Sequence, residues 1–211
     1  MTYTHSHRAS RSFVKYTKIK FIHKNQENIA RKYKFHDNSK LYFVTFTVVN
    51  WIDAFIREEN RNIFYESVKY CQKNKGLEVY GYCIMTSHIH MIIGTENDNL
   101  SDIVRDLKSF TSRQIRKNLE VSTSESRREW MLWMFGRAGK KNERNIDYQF
   151  WMQHNHPIEL LTHEMTLQRL NYMHQNPVKI GFVEKTEEWL HSSCGDYYGN
   201  RKGLIDMVFI E

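Results

Sequence analysis

From residue 77 the chain runs LEVYGYCIMT, then Ser87, then HIHMIIG. Two apolar runs rich in β-branched and aromatic residues, broken only at Thr86-Ser87, read as a pair of tightly joined strands. Such a pair puts the end of one strand beside the start of the other at the sheet centre. The break leads directly into Ser87-His88-Ile89-His90. Alternation along a strand sends His88 and His90 to one face and Ile89 to the other. Two imidazoles on adjacent same-face positions can chelate one divalent cation. The alternative is a pair of hydrogen-bonded histidines on a half-exposed face, since buried polar rings need partners. The chain repeats the spacing at His5-Ser6-His7, in a polar arm, and at His154-Asn155-His156, which abuts Pro157 and reads as a loop. Only His88-Ile89-His90 has an apolar middle residue inside an apolar run.

The flanking segments suggest what this pair packs against. Residues 41–51, LYFVTFTVVNW, have strand composition. Residues 59–74 place Ile63, Phe64, Ser67, Val68 and Cys71 at helical spacing, with Gly76 as a stop. Ser101 is expected to cap a helix with Ile103, Val104, Leu107, Phe110 and Ile115 on its apolar side. Residues 120–147 read as a basic insertion, and residues 148–153, YQFWMQ, as a strand. Residues 164–176 form a further helix with Leu167, Leu170 and Met173 inward, ended by Pro177. The order strand, helix, strand, strand, helix, strand, helix suits an α+β sandwich, an antiparallel sheet of about four to five strands with helices packed on it.

That last helix carries Tyr172 and Asn176, four residues apart and hence on one side, with Gln168 a turn earlier. A phenol titrates near pH ~10 and is a poor nucleophile while protonated. Beside a metal-bound phosphate it can attack phosphorus, because a cation offsets charge developing in the transition state. Asn176 can add an oxygen ligand to the same ion. The alternative reading makes Tyr172 a packed core aromatic and Asn176 a C-cap before Pro177.

Composition narrows the partner. The net charge is +7, and residues 1–40 hold ten Lys/Arg against two acids, so the excess lies in an N-terminal basic arm. Such an arm can follow a phosphate backbone or be a solvated tail. Residues 101–144 are also basic, with eleven Lys/Arg against six acids; Lys108, Arg113, Arg116, Lys117, Arg127 and Arg128 are the candidates for a polyanion-facing surface, the alternative being a solvated helix face. With 40% hydrophobic and 14% aromatic residues the chain can bury a core, which argues against global disorder. No apolar run is long enough to span a bilayer, and no secretory signal is visible at the start. Three cysteines without a CxxC pair suggest a reduced, cytoplasmic setting.

Taken in order, KYKFHDNSKLYFVTFTVVNWIDAF, YCIMTSHIHMII, LSDIVRDLKSFTSR, FWMQHNHPIEL, NYMHQNPVKIGFV and WLHSSCGDYYG resemble the REP-associated tyrosine transposases. These belong to the single-strand DNA transposases with an HUH motif and one catalytic tyrosine. The resemblance runs from about Arg31 to Ile205, so residues 1–30 stand outside it and residues 31–211 form the transposase domain. It implies a ferredoxin-like sandwich. It also implies Mg²⁺ or Mn²⁺ held by His88, His90 and Asn176, with Tyr172 as nucleophile. The implied activity is cleavage and rejoining of single-stranded DNA at repeated palindromic hairpins, through a 5′-phosphotyrosine and a free 3′-hydroxyl. One departure is Thr86-Ser87, where the family usually has Pro-Asn; hydroxyl residues can still support the turn.

The expected enzyme is therefore a metal-dependent single-strand endonuclease and transposase acting near the nucleoid. Gln168 and Gln153 are candidates for positioning the phosphate, and His174 for carrying a proton. The alternative is a domesticated relative that grips hairpins without cutting. Monomer and homodimer are both compatible with the sequence.

Overall fold

The computed structural model describes residues 35–97, 99–141, 147–199 and 201–210. The expected arm at residues 1–30 lies outside the described residues, as does His5-Ser6-His7. The strands are β1 (Tyr42–Thr47), β2 (Leu77–Ile84), β3 (His88–Thr95) and the short β4 (Ile158–Glu159). They form a four-stranded sheet in the order β2-β3-β1-β4, antiparallel at every pairing. The tight β2–β3 connection sets β3 in the middle, with Cys83 opposite His90 and Ile84 opposite Ile89. On the other side β1 pairs Thr45 with His90 and Thr47 with His88.

One sheet face is covered by α1 (Glu58–Lys75), α2 (Leu100–Val121) and α3 (Arg128–Lys140). Val44, Phe46, Ile89, Met91 and Ile93 pack there against Phe64, Val68, Ile103, Leu107, Met131 and Phe135. Full burial of each such side chain contributes about 1.5–3 kcal/mol, so this cluster is the main source of stability. The helix limits follow local chemistry. Gly76 ends α1 in a left-handed conformation (φ 70°), which a residue without Cβ adopts freely.

The opposite face is covered by α4 (His163–His174), followed by the short α5 (Asn176–Lys179). Here the buried cluster is small: Phe43, Cys83, Met85, Ile92 and Leu160 meet Leu170 and Met173 of α4, with Met165 packed at its edge. Gly81 makes that contact possible. A Cβ there would run into the Met173 terminal methyl and stand 2.8 Å from Leu170 Cδ1. The β-bulge between Val79 and Gly81 falls at the same place. Thr162 starts α4, its hydroxyl accepting the Met165 N–H at 3.2 Å.

Several expectations change. The first strand stops at Thr47, because Asn50 and Trp51 both take positive φ and turn the chain. Residues 148–153 form no strand: among the described residues their backbone pairing with the sheet is the Val48–Trp151 bridge, and the fourth strand is Ile158–Glu159. Helix α2 begins at Leu100, and Asn38 rather than a local cap receives the Ser101 N–H at 2.8 Å. Phe110 and Leu167 are exposed, while Thr111 and Thr166 take the inward positions. Residues 120–147 include α3, whose Met131 and Phe135 belong to the core, so this stretch is built into the fold. Pro177 does not stop helical geometry outright. It sits in the first turn of α5, where its missing N–H leaves no bond unmade. The three cysteines are free and buried. Among the described residues no helix is long and apolar enough to cross a membrane.

Candidate active site

The face bearing α4 also carries the paired histidines. Their ring centroids are 4.9 Å apart at 76°. His90 is buried and stacks on Phe43 at 5.3 Å. The Tyr172 ring meets His90 edge-on at 5.6 Å and 67°, and lies 6.1 Å from Phe43. Tyr172 itself is 40% exposed, so it is no core aromatic but stands between an apolar floor and solvent.

Each imidazole uses Nδ1 on a neighbouring hydroxyl: His90 with Thr45 Oγ1 at 2.9 Å, His88 with Ser87 Oγ at 3.3 Å. In the tautomer where Nδ1–H donates, each Nε2 keeps its lone pair for a cation. Burial, then the neighbouring His88 and Arg169, push His90 down to about 3, and burial lowers His88 against a weaker opposing pull from Asp53. Both rings are thus neutral near pH ~7, the state a metal ligand needs. Asp53 is tied into the turn by a hydrogen bond from the Thr86 hydroxyl, which anchors the loop before Ser87.

Asn176 stands one helical turn after Tyr172. The backbone keeps helical phase across Gln175, with Gln175 N–H to Asn171 O at 2.9 Å and Lys179 N–H to Gln175 O at 3.0 Å. Its Nδ2 is buried with no hydrogen-bond partner. The two ends of a carboxamide exchange by a flip, so an unmet end here suits an oxygen ligand. Among the described residues no group of three or more His, Cys, Asp or Glu side chains is arranged to hold an ion. A cation on His88 and His90 would therefore complete its sphere with amide, phosphate or water oxygens.

The other expected residues are exposed or engaged with partners of their own. Gln168 is exposed and donates to Glu164 at 3.3 Å, and Gln153 is exposed. His174 is buried against Ser193 Oγ at 2.9 Å and pushed down to about 4 by burial, on the inner side of α4 away from Tyr172. Lys108 turns inward to the Met152 carbonyl at 2.8 Å and the Asn155 side chain; burial pushes it down to about 8. Arg127 closes on the buried Glu125 at 3.0 Å together with Arg57 at 3.2 Å, and Arg128 donates to the Ser122 carbonyl at 2.9 Å. Arg116 pairs with Glu120 at 2.8 Å and lies over the Tyr148 ring. Arg113 and Lys117 are exposed. A cavity of about 940 Å³ opens between α1 and α2, on the helices that cover the other sheet face; of these candidates only Arg113 lines it.

Sequence reasoning missed two cations. The Lys179 Nζ lies 5.1 Å from the Tyr172 ring centroid, and the Arg169 guanidinium 5.4 Å from that of Phe43. Arg169, Tyr172, Asn176 and Lys179 follow the spacing i−3, i, i+4, i+7, one helical stripe that was visible in the sequence. It also missed Trp51, which sits edge-on to His88 at 5.3 Å with a left-handed backbone (φ 55°). That conformation costs roughly 1–2 kcal/mol in a residue with a Cβ.

Residues 37–136 match the family described as Transposase IS200 like, a stretch that includes His88 and His90 and stops before Tyr172. A Haemophilus influenzae protein named as a REP-associated tyrosine transposase is 26% identical over 161 residues, covering 72% of this chain and 78% of its own. Among solved structures, a REP-associated tyrosine transposase bound to a REP hairpin has a similar fold. Its TM-score is 0.56 at 13% identity, over 85% of this chain and 93% of that one. Residues 37–136 are thus similar to the IS200-like transposases, and the chain resembles one REP-associated tyrosine transposase in sequence and another in fold.

Proposed function

We propose that this protein cleaves and rejoins single-stranded DNA beside palindromic hairpins, with Tyr172 as the nucleophile. One observation carries the reading: an accessible phenol stands against the His90 imidazole, which pairs with His88 on the same sheet face. The stripe Arg169, Asn176 and Lys179 adds positive charge and an amide on the same helix side, as a phosphodiester requires. The relative bound to a REP hairpin supplies the DNA class.

His88, His90 and Asn176 would hold Mg²⁺ or Mn²⁺, which when bound supplies Lewis-acid stabilisation of charge on the phosphate. Tyr172 Oη attacks phosphorus in line. The Tyr172 O–P bond forms, the P–O3′ bond breaks, and the phenol proton leaves as the departing 3′-oxygen gains one. Lys179, over the Tyr172 ring, offsets negative charge that develops on the phosphoryl oxygens as this bond forms. The 5′-phosphotyrosine retains the energy of the phosphodiester, so a 3′-hydroxyl can later rejoin the strand without a nucleotide cofactor. The exposed Arg113 and Lys117 are the DNA contacts retained from the basic stretch.

The test is incubation with single-stranded DNA from the flanks of the gene plus Mn²⁺, followed by a denaturing gel. A covalent protein–DNA band is expected, and Tyr172→Phe should abolish it while hairpin binding persists. Hairpin binding with no adduct in the unsubstituted protein would instead show a DNA-binding relative that does not cut.

A further inference from the structure

We propose that Trp51 is a stacking platform for an unpaired DNA base next to the scissile phosphate; this rests on the single-strand cleavage reading above. Trp51 is 59% exposed although it touches His88, at 5.3 Å between ring centroids. An exposed apolar side chain is by itself ordinary. Here it is combined with backbone strain, since Asn50 and Trp51 take φ of 58° and 55° in succession. Asparagine tolerates that region, whereas tryptophan rarely enters it.

The surrounding chain enforces the display. Before the tryptophan, Val48 N–H binds Ser87 O at 2.9 Å and Val49 N–H binds Phe150 O at 2.8 Å. After it, Ile52 is buried and Phe55 N–H binds Thr86 O at 2.8 Å. The Arg127 guanidinium reaches the Asp53 carbonyl at 3.2 Å. Both flanks are fastened to the turn that delivers His88, so the ring is held outward at a fixed offset from the imidazole. Strain kept in place by its surroundings at a reactive centre is the pattern of a pre-organised contact. An indole face in that position matches the π-face of any base, independent of its sequence. The first unpaired nucleotide beside a phosphate at His88 would find it within reach.

The test compares two synthetic hairpins drawn from the gene's flanking DNA, one with a single-stranded tail through the cleavage position and one without. Binding is read by anisotropy in a Tyr172→Phe background, which holds back cleavage. Trp51→Ala should weaken the tailed hairpin about 5- to 150-fold, the range for losing one base–aromatic stack, and leave the bare hairpin unchanged. Trp51→Phe should restore most of the affinity. A 2-aminopurine in the tail should be quenched on binding, and lose that quenching in Trp51→Ala. Equal affinity for the tailed hairpin with and without the Trp51→Ala substitution overturns the proposal. So does equal weakening on both hairpins, which marks Trp51 as a structural shield for His88. Adduct formation by the unsubstituted protein is scored separately: its absence with a tail-specific Trp51 effect removes the cleavage reading and leaves the stacking contact standing.

Discussion

The Tyr172 ring meets that of His90 edge-on, 5.6 Å between centroids, although one lies on a helix and the other on a central strand. Nothing local joins them. The contact exists because α4 lies close on the sheet, and that closeness depends on Gly81, Leu170 and Met173.

Gly81 should therefore control catalysis from a distance. A Cβ there meets the flexible end of Met173, so Gly81→Ala should be mild, while Gly81→Val must lift α4. We expect about 1–3 kcal/mol of destabilisation for the valine, typical of overpacking. DNA adduct formation should fall further than the loss of folded protein explains. Chemical denaturation alongside the adduct assay checks this; a valine variant with full activity would show that α4 tolerates displacement.

Thr45 should tune the metal through His90. Its hydroxyl is 2.9 Å from His90 Nδ1, a contact that fixes tautomer and ring orientation. Thr45→Val should weaken apparent Mn²⁺ affinity about 10- to 100-fold and leave the adduct rate at saturating Mn²⁺ largely intact. His90→Ala should lose adduct formation at every Mn²⁺ concentration. A metal titration of the adduct rate separates the two, and an unchanged midpoint in Thr45→Val contradicts the role.

Lys179 should act on the rate more than on DNA affinity. Its ammonium stands 5.1 Å from the Tyr172 ring, placed to offset the negative charge that develops on a phosphate under attack by Tyr172. Because the side chain is exposed, Lys179→Met should slow adduct formation by about 10-fold, less than loss of an enclosed oxyanion donor. Single-turnover kinetics at saturating DNA reads the effect; a change in binding alone would place Lys179 on the DNA path instead.

Glu125 should make stability fall in acid. Hydrogen bonds from Arg127, and then from Arg57, hold its carboxyl down at about 2, against an ordinary value of 4.5. The folded value lies below the unfolded one. The contribution is therefore full above pH ~5 and fades as pH drops toward 2. Glu125→Gln should cost about 3 kcal/mol near neutral pH, and the gap to the unsubstituted protein should close in acid. Urea unfolding at pH 7 and pH 3 measures it; a gap independent of pH would mean the charge on Glu125 contributes nothing.

The local pieces were legible in the chain: alternation put His88 and His90 on one face, and four-residue spacing aligned Tyr172 with Asn176. Gly76 was equally readable as a helix stop, because it acts through its own backbone. Only the folded chain decided which cations stand beside Tyr172, turning Lys108 and Arg127 inward and setting Lys179 over its ring. It also decided that Trp51 leaves the strand to meet His88, although its composition reads as β. Secondary structure obeys periodicities a few residues long, whereas charge placement and strain depend on partners far along the chain. Glu125 for Arg57 and Ser87 for Val48 are such partners, and sequence spacing does not encode them.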